Sequence, residues 1–457
     1  MLSLSITNRA NVDRILAYIV RLVVWLAGFI KPLSRIGLCR YEEYAKGNTL
    51  KVLLVGYNGA RNTGADARVV ALTRQLEEAL GAKQTELTVM TLDTDNVDGY
   101  FSSSVRLFRF TTLFFFPLLK AASRHHVAVL CEGSTLTRTF ADALCVFYCE
   151  AAGIMRRQQK PCIAYGSEVG HVDGWLGRLS RDTMRDTYFI VRTEESLRNL
   201  KALGLNGHVG TDTAWTFQTS DGEQWARQQL QEAGWDGRQP LLGVAVLNPF
   251  CWPVCPSLQR WIKATLTGDR SLQYDKMYFF SDSEQRREHF QHYISEMSSA
   301  VNTYQKAHDA FVVVLGMEQL DTKPCQVFEQ LVEGPHAMFT SRHCDVFQMT
   351  GLLRQLSMLV TSRYHAAVLS MERAIPIVAV SMDNRLNGVM RETELADHYL
   401  FSAADNHLGE HITEALQLAD RQRQEIADII SRHLADYKKK VGGMSNFFTQ
   451  WIDSRFS

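Results

Sequence analysis

The residues best placed to do chemistry are Ser362, Arg363 and His365, in the segment Thr361-Ser362-Arg363-Tyr364-His365 directly after the apolar run 358–361. Ser362 reads as the N-cap of a following helix, which puts Arg363 in its first turn and His365 two residues further on. A helix start carries partial positive charge and favours anions, so two cationic side chains there are electrostatically misplaced. The arrangement becomes favourable when the helix end, Arg363 and a protonated His365 close on one phosphate or carboxylate. The plain alternative is a structural histidine with its polar atoms satisfied in the fold. A second arginine, Arg192, stands at the end of the run 188–191, where it either holds an anion or bridges to Glu194 or Glu195.

Other strand ends carry polar groups. The loop from Gly56 to Asp66 reads GYNGARNTGAD; its three glycines let backbone approach a ligand, and the helix behind it offers free N–H groups. Asn58, Asn62, Gly64 and Asp66 are its candidates, with a tight turn as the bland reading. The spacing is neither G-x-G-x-x-G nor a P-loop. Glu132-Gly133-Ser134-Thr135 offers Gly133, Ser134 and a second hydroxyl to an oxygen-rich substrate, or simply N-caps to the next helix. Asp212, Asp321 and Asp383-Asn384 either orient sugar hydroxyls or serve as turn residues. His125-His126 and His289/His292 have no evident third ligand, so no metal site is expected.

Such side chains need a scaffold that brings strand ends together. With 457 residues, 46% of them hydrophobic, the chain is long enough for two to four domains. Its 49 basic and 49 acidic side chains cancel, which argues against nucleic acid as the main partner. Nine cysteines without a CxxC pair read as reduced thiols of a cytosolic protein. Apolar runs at 51–56, 87–92, 127–131, 161–165 and 188–191 alternate with helical patterns; after a polar linker at 220–239 the theme repeats at 241–247, 311–315, 358–361 and 375–380. Continuously apolar strands between helices predict parallel sheets covered on both faces, in two α/β domains facing each other across a cleft. Ligands then lie beyond the carboxyl ends of the strands. The expected divisions are an N-terminal segment 1–48, domains 49–225 and 238–402, and a helical tail 403–457.

Residues 15–30 are apolar apart from Arg21, a stretch shorter than the roughly 20 residues of a membrane span. No A-x-A cleavage site follows, so a cleaved secretory signal is not expected. Arg9, Arg14, Arg21, Lys31, Arg35 and Arg40 outnumber the single acid, Asp13. Basic flanks with Tyr18, Trp25 and Phe29 predict an amphipathic helix at a cytoplasmic membrane surface; the alternative is a helix packed on the body or on a second subunit.

Five segments, in order, resemble the polysaccharide pyruvyltransferase family: GYNGARNTGADA, EGSTL, VRTEES, TDTA and, most specifically, SRYHAAVLSMERAIPIVAVS, together spanning roughly residues 51 to 400. Members look like GT-B glycosyltransferases, with two Rossmann-like domains. They transfer the enolpyruvyl unit of phosphoenolpyruvate to sugar hydroxyls, forming a pyruvate ketal and releasing phosphate, with no cofactor beyond that co-substrate. The resemblance implies that Arg192, Arg363 and His365 bind the donor beside Ser362, and that His365 is also the acid. It implies a saccharide acceptor, free or lipid-linked, and a place in exopolysaccharide synthesis; the basic N-terminal segment, not the resemblance, is what predicts a cytoplasmic protein peripheral to the inner face of the plasma membrane. This chain departs from the family at Glu132-Gly133-Ser134, where a glycine run is usual. It departs again at Arg192-Thr193 in place of Arg-Asp, and at GADA in place of GDEA. The rival readings are a nucleotide-sugar glycosyltransferase, a hydride-transferring oxidoreductase with Asp93 on a ribose, and a non-catalytic glycan- or anion-binding relative at the membrane.

Overall fold

Seven short strands form the first sheet, the central ones largely apolar: β1 (Leu50–Val55), β2 (Thr85–Thr91), β3 (Arg106–Arg109), β4 (Val127–Leu130), β5 (Cys162–Ser167), β6 (Tyr188–Val191) and β7 (Asn206–Val209). The computed structural model describes residues 9–81, 84–111, 114–219, 221–269, 273–274 and 278–456. All seven strands run parallel, in the order β3-β2-β1-β4-β5-β6-β7. The second half contributes β8 (Leu241–Ala245), the antiparallel pair β9 (Val254–Pro256) and β10 (Tyr278–Phe280), then β11 (Phe311–Gly316), β12 (His336–Thr340), β13 (Met358–Thr361), β14 (Ile377–Ser381) and β15 (Leu400–Ser402). Its main sheet is again parallel, ordered β12-β11-β8-β13-β14-β15. In each sheet the order reverses at one point, between β1 and β4 and between β8 and β13, and there the strand-end loops splay to leave a crevice.

Several expected boundaries shift. Edge strands β3, β7, β12 and β15 carry no continuous apolar run, because an edge strand is covered on fewer sides; Arg106 and Leu107 of β3 are exposed. The expected linker at 220–239 contains the helix Gly222–Glu232, whose Ala226 and Leu230 are buried against the helix Val346–Gln355. The tail is two helices, Leu408–Arg421 and Arg423–Phe456, and the second crosses back to the first sheet. There Met444, Phe448, Trp451 and Ile452 share a core with Leu50, Val52, Val129 and Ile163.

The N-terminal segment folds as a 27-residue helix, Arg9–Arg35, longer than its apolar run. The part from Ile15 to Arg35 is long and apolar enough to cross a membrane by length and composition, with a mean hydropathy of 1.7. Of the two expected modes, packing on the body is what the structure shows, on one face of the helix. Ala17, Val20, Val23 and Ala27 are buried, and the helix packs on the helix Asp142–Arg157. The other face leaves Tyr18 67%, Leu22 56%, Trp25 53% and Phe29 42% exposed, three or four residues apart. Arg21 pairs with Asp182 at 3.4 Å and Lys31 with Glu43 at 2.6 Å. The side chains of Arg9, Asp13 and Arg14 lie outside the described residues.

Because Phe448 is fully buried in the core that the tail shares with the first sheet, Phe448→Ala is expected to cost about 3–5 kcal/mol in urea unfolding. A loss under about 1 kcal/mol would mean that the tail covers the sheet without stabilising it.

Candidate active site

The crevices of the two sheets face each other, and the side chains at their strand ends meet around one carboxylate. Asp212 follows β7 and is fully buried. Its Oδ1 accepts from the Ala214 N–H at 2.9 Å and lies 3.1 Å from Arg68 Nε. Its Oδ2 lies 3.1 Å from Arg192 Nη2 and 3.4 Å from His365 Nε2. Arg68 and Arg192 belong to the first domain and His365 to the second, so the cluster joins the domains. Burial alone would raise the Asp212 pKa, but Arg192 and Arg68, then His365, hold it well below the carboxylate range. The arginines are themselves anchored: Arg68 donates to the carbonyls of Tyr165 and Gly166 at 3.1 and 2.8 Å, and Arg192 Nε to that of Gly166 at 2.9 Å. Arg192 thus bridges to Asp212 and not to Glu194 or Glu195.

Two glycines make this closeness sterically feasible. A Cβ on Gly64 would collide with the His365 ring at Nδ1, and one on Gly133 would collide with the Arg192 guanidinium. Burial pushes His365 down to about 4, with Asp212 pulling the other way, so its ring is neutral near pH 7.

At the end of β13 the structure corrects the sequence reading. Arg363, not Ser362, occupies the cap position of a short helix, Tyr364–Ser370, and it makes no side-chain cap. Instead the Arg363 N–H donates to Thr361 Oγ1 at 2.9 Å, and Ser362 Oγ shares a 2.8 Å hydrogen bond with the Tyr293 hydroxyl. Ser362 therefore faces into the domain. Arg363 is not an unpaired cation at a helix start: it pairs with Asp321 and, at 3.2 Å, with Glu318. These carboxylates supply the negative charge that the helix end prefers. Burial raises Asp321 to about 6 while Arg363 opposes the rise.

The loop candidates divide. Asn62, Gly64 and Ser134 line the same interdomain cavity as Arg363 and His365. Asn62 also caps the helix Thr63–Leu80, accepting from the Gly64 and Ala65 N–H groups at 3.1 Å. Asn58 is buried and donates to the Met90 carbonyl at 3.1 Å. Asp66 is buried under the loop, accepts from the Gly59 N–H at 3.3 Å and is raised by burial to about 7. Asp212 is fully buried against two arginines and the His365 imidazole, and Asp383 caps the helix Asn384–Glu392 while pairing with Arg385. Asp66, Asp212 and Asp383 therefore do not present free carboxylates to a sugar.

Sequence reasoning missed three contributors. Arg68 hides inside the apolar pattern of GADARVVAL, where a charge on the buried face was the available signal. Arg385 sits two residues past Asp383, lies 3.6 Å from Glu168 and stacks over Phe140 with its carbon 4.6 Å from the ring centre. The same strand-end rule that selected Asp383 reaches it. The loop after β8, with Trp252, was passed over although it flanks the crevice of the second sheet.

The depressed His365 pKa makes a testable contribution to stability. The unfolded chain protonates this ring near 6.5 and the folded chain only near 4, so between those values the unfolded state binds more protons and stability falls as pH drops. His365→Gln removes this loss. On moving from about pH 7 to about pH 5, the variant is expected to lose less unfolding free energy than wild type in urea titrations. Equal losses would show that the ring is not held neutral.

Comparison with known proteins fixes the fold and the family. A putative UDP-N-acetylglucosamine 2-epimerase from Listeria monocytogenes superposes with a TM-score of 0.52 at 12% identity, covering 84% of this chain and 90% of that one. The S. aureus MnaA–UDP co-structure gives 0.53 at 11%, covering 84% and 90%. Anabaena Alr3699/HepE in complex with UDP-glucose gives 0.53 at 13%, covering 89% and 100%. At these identities the likeness concerns architecture: two facing α/β domains of GT-B type. No curated protein sequence matches the chain. The sequence profile of the Polysaccharide pyruvyl transferase family matches residues 62–384, a span that runs from the Asn62 cap to the helix start beside Asp383 and takes in Arg68, Arg192, Asp212, Arg363 and His365. The chain belongs to the polysaccharide pyruvyl transferase family, and is a transferase of polysaccharide biosynthesis.

Proposed function

We propose that the protein moves the enolpyruvyl group of phosphoenolpyruvate onto two hydroxyls of a saccharide, closing a pyruvate ketal and releasing phosphate. The observation that carries this reading is the shared Asp212 oxygen, which holds an arginine of one domain and a histidine of the other side by side at the cleft. Phosphoenolpyruvate is close to trianionic at neutral pH, and a guanidinium fork matches its carboxylate or phosphate. Arg192 and Arg363 hold it from the two sheets. A phosphate next to His365 favours the charged imidazolium, so donor binding raises the ring's low pKa and loads it with a proton. His365 delivers that proton to the methylene carbon of the enol, leaving a cation-like centre at the neighbouring carbon. One sugar hydroxyl adds there and gives up its proton. The carbon–oxygen bond to phosphate then breaks, and a second hydroxyl closes the ring with loss of its proton. Asp212 fixes the imidazole and offsets its charge throughout.

His365→Ala is expected to slow phosphate release from phosphoenolpyruvate, in the presence of acceptor, by about 10²–10⁴-fold. A rate within a few-fold of wild type would remove His365 from the reaction. Calorimetric titration with phosphoenolpyruvate and with UDP-glucose separates pyruvyl from glycosyl transfer. Binding of UDP-glucose alone would overturn the donor assignment.

The protein sits, on this proposal, at the cytoplasmic surface of an anionic membrane. The exposed stripe Tyr18, Leu22, Trp25 and Phe29 supports it, as do Arg35 and Arg40 at its end. So does the helix Leu258–Thr267, which follows β9, itself in contact with the N-terminal helix. That helix exposes Leu258, Trp261, Ile262 and Leu266, and carries Arg260 and Lys263 without an acid. The triple variant Tyr18→Ser, Leu22→Ser, Trp25→Ser is expected to stay behind when wild type floats with phosphatidylglycerol vesicles. Equal flotation would reject the membrane-facing role of that stripe.

A further inference from the structure

The cavity that holds Arg363 and His365 has a second wall that donor chemistry does not use. Tyr57 and Phe140 reach it from the first domain, and Trp252 and Tyr274 from the second. All four rings are half-buried, unlike the fully covered side chains of the cores. Phe140 meets Trp252 edge-on at 5.1 Å, and Trp252 meets Tyr274 at 6.0 Å; Tyr57 lies nearly parallel to Tyr274 at 6.4 Å. Trp252 is on the loop after β8 and Tyr57 on the loop after β1, at the crevices of the two sheets. The same cavity is lined by Glu132 and by Glu318, which pairs with Arg363 at 3.2 Å.

A small trianion has no apolar face to lay on four aromatic rings, so a donor held by Arg363 leaves that wall unused. A pyranose has what the wall asks for: an apolar C–H face that packs on an aromatic ring, and a rim of hydroxyls that donate to carboxylates. We propose that this wall is the acceptor subsite, with Trp252 and Phe140 stacking on the ring to be modified. Glu132 and Glu318 receive its hydroxyls and turn them toward His365. The ligand is a saccharide end with one C–H face free of axial oxygen, not a nucleotide or an isolated anion. The assignment rests on the transferase reading for the purpose of the bound sugar, but the binding itself is measurable without turnover.

Saturation-transfer NMR with methyl β-D-galactopyranoside and methyl β-D-glucopyranoside tests it on the full chain. Wild type is expected to saturate the ring C–H protons of at least one of the two glycosides. Trp252→Ala should weaken that binding by about tenfold, with Trp252→Phe restoring most of it, and Phe140→Ala should act from the opposite domain. Thermal unfolding near the wild-type midpoint shows that each variant is folded, and phosphoenolpyruvate binding should be unchanged in all three. If wild type saturates neither glycoside, or if Trp252→Ala and Phe140→Ala both bind as wild type does, the subsite is wrong. If the variants lose phosphoenolpyruvate as much as glycoside, the wall belongs to the donor and the proposal falls. If glycoside binding depends on Trp252 while no enolpyruvyl transfer occurs, the subsite stands and the transferase reading alone fails.

Discussion

A carboxylate stripped of water and surrounded by three cationic or proton-bearing groups organises this protein. Asp212 would be intolerable in its fully buried position without Arg68 and Arg192, and those arginines would be equally costly without it. Because each partner's desolvation is offset only by the others, the group stands or falls together. His365 completes it from the opposite domain, at 3.4 Å. A place where the two halves of the chain touch electrostatically is therefore also one where a proton can be held and moved.

The same logic governs the other arginines of the cleft. Arg363 is held by Asp321 and Glu318, and Arg385 by Asp383 and, more distantly, Glu168. None of them stands as a bare cation. An entering anion therefore competes with carboxylates already in place. Burial shifts Asp321 and Glu168 upward, against the pull of Arg363 and Arg385 respectively. Affinity for a highly charged donor then comes from exchange of partners within a fixed network, which favours selectivity for shape over sheer attraction.

The sequence carried the architecture where burial is symmetrical and lost it where burial is one-sided. β1, β4, β8, β11 and β13 read as unbroken apolar runs because helices cover both faces. β3 and β12, at sheet edges, did not, and the helix Gly222–Glu232 looked like a linker because only Ala226 and Leu230 of its apolar side chains turn fully inward. For the site, residues immediately after strands were legible as positions: Arg192 and His365 meet on Asp212, and His365 shares a cavity with Arg363. The pairing was not: Asp212 and Asp321 stood out only as candidates for sugar hydroxyls or turns, because they and Glu318 reach the cations by tertiary contact that no local spacing encodes. Ser362 misled for a local reason: a hydroxyl before a helix looks like a cap, whereas here its partner is the Tyr293 hydroxyl from a distant helix.

The returning tail helix has a consequence for the order of synthesis. The first sheet buries Val52, Val129 and Ile163 on a face that is finished by Met444, Phe448 and Trp451, which emerge long after its strands. About 280 residues separate Ile163 from Met444, so at about 5–20 residues per second that face waits on the order of 14–56 s on the ribosome without its final cover. For that interval the nascent protein presents a half-clothed β-sheet, the kind of surface that chaperones bind and that neighbouring chains stick to.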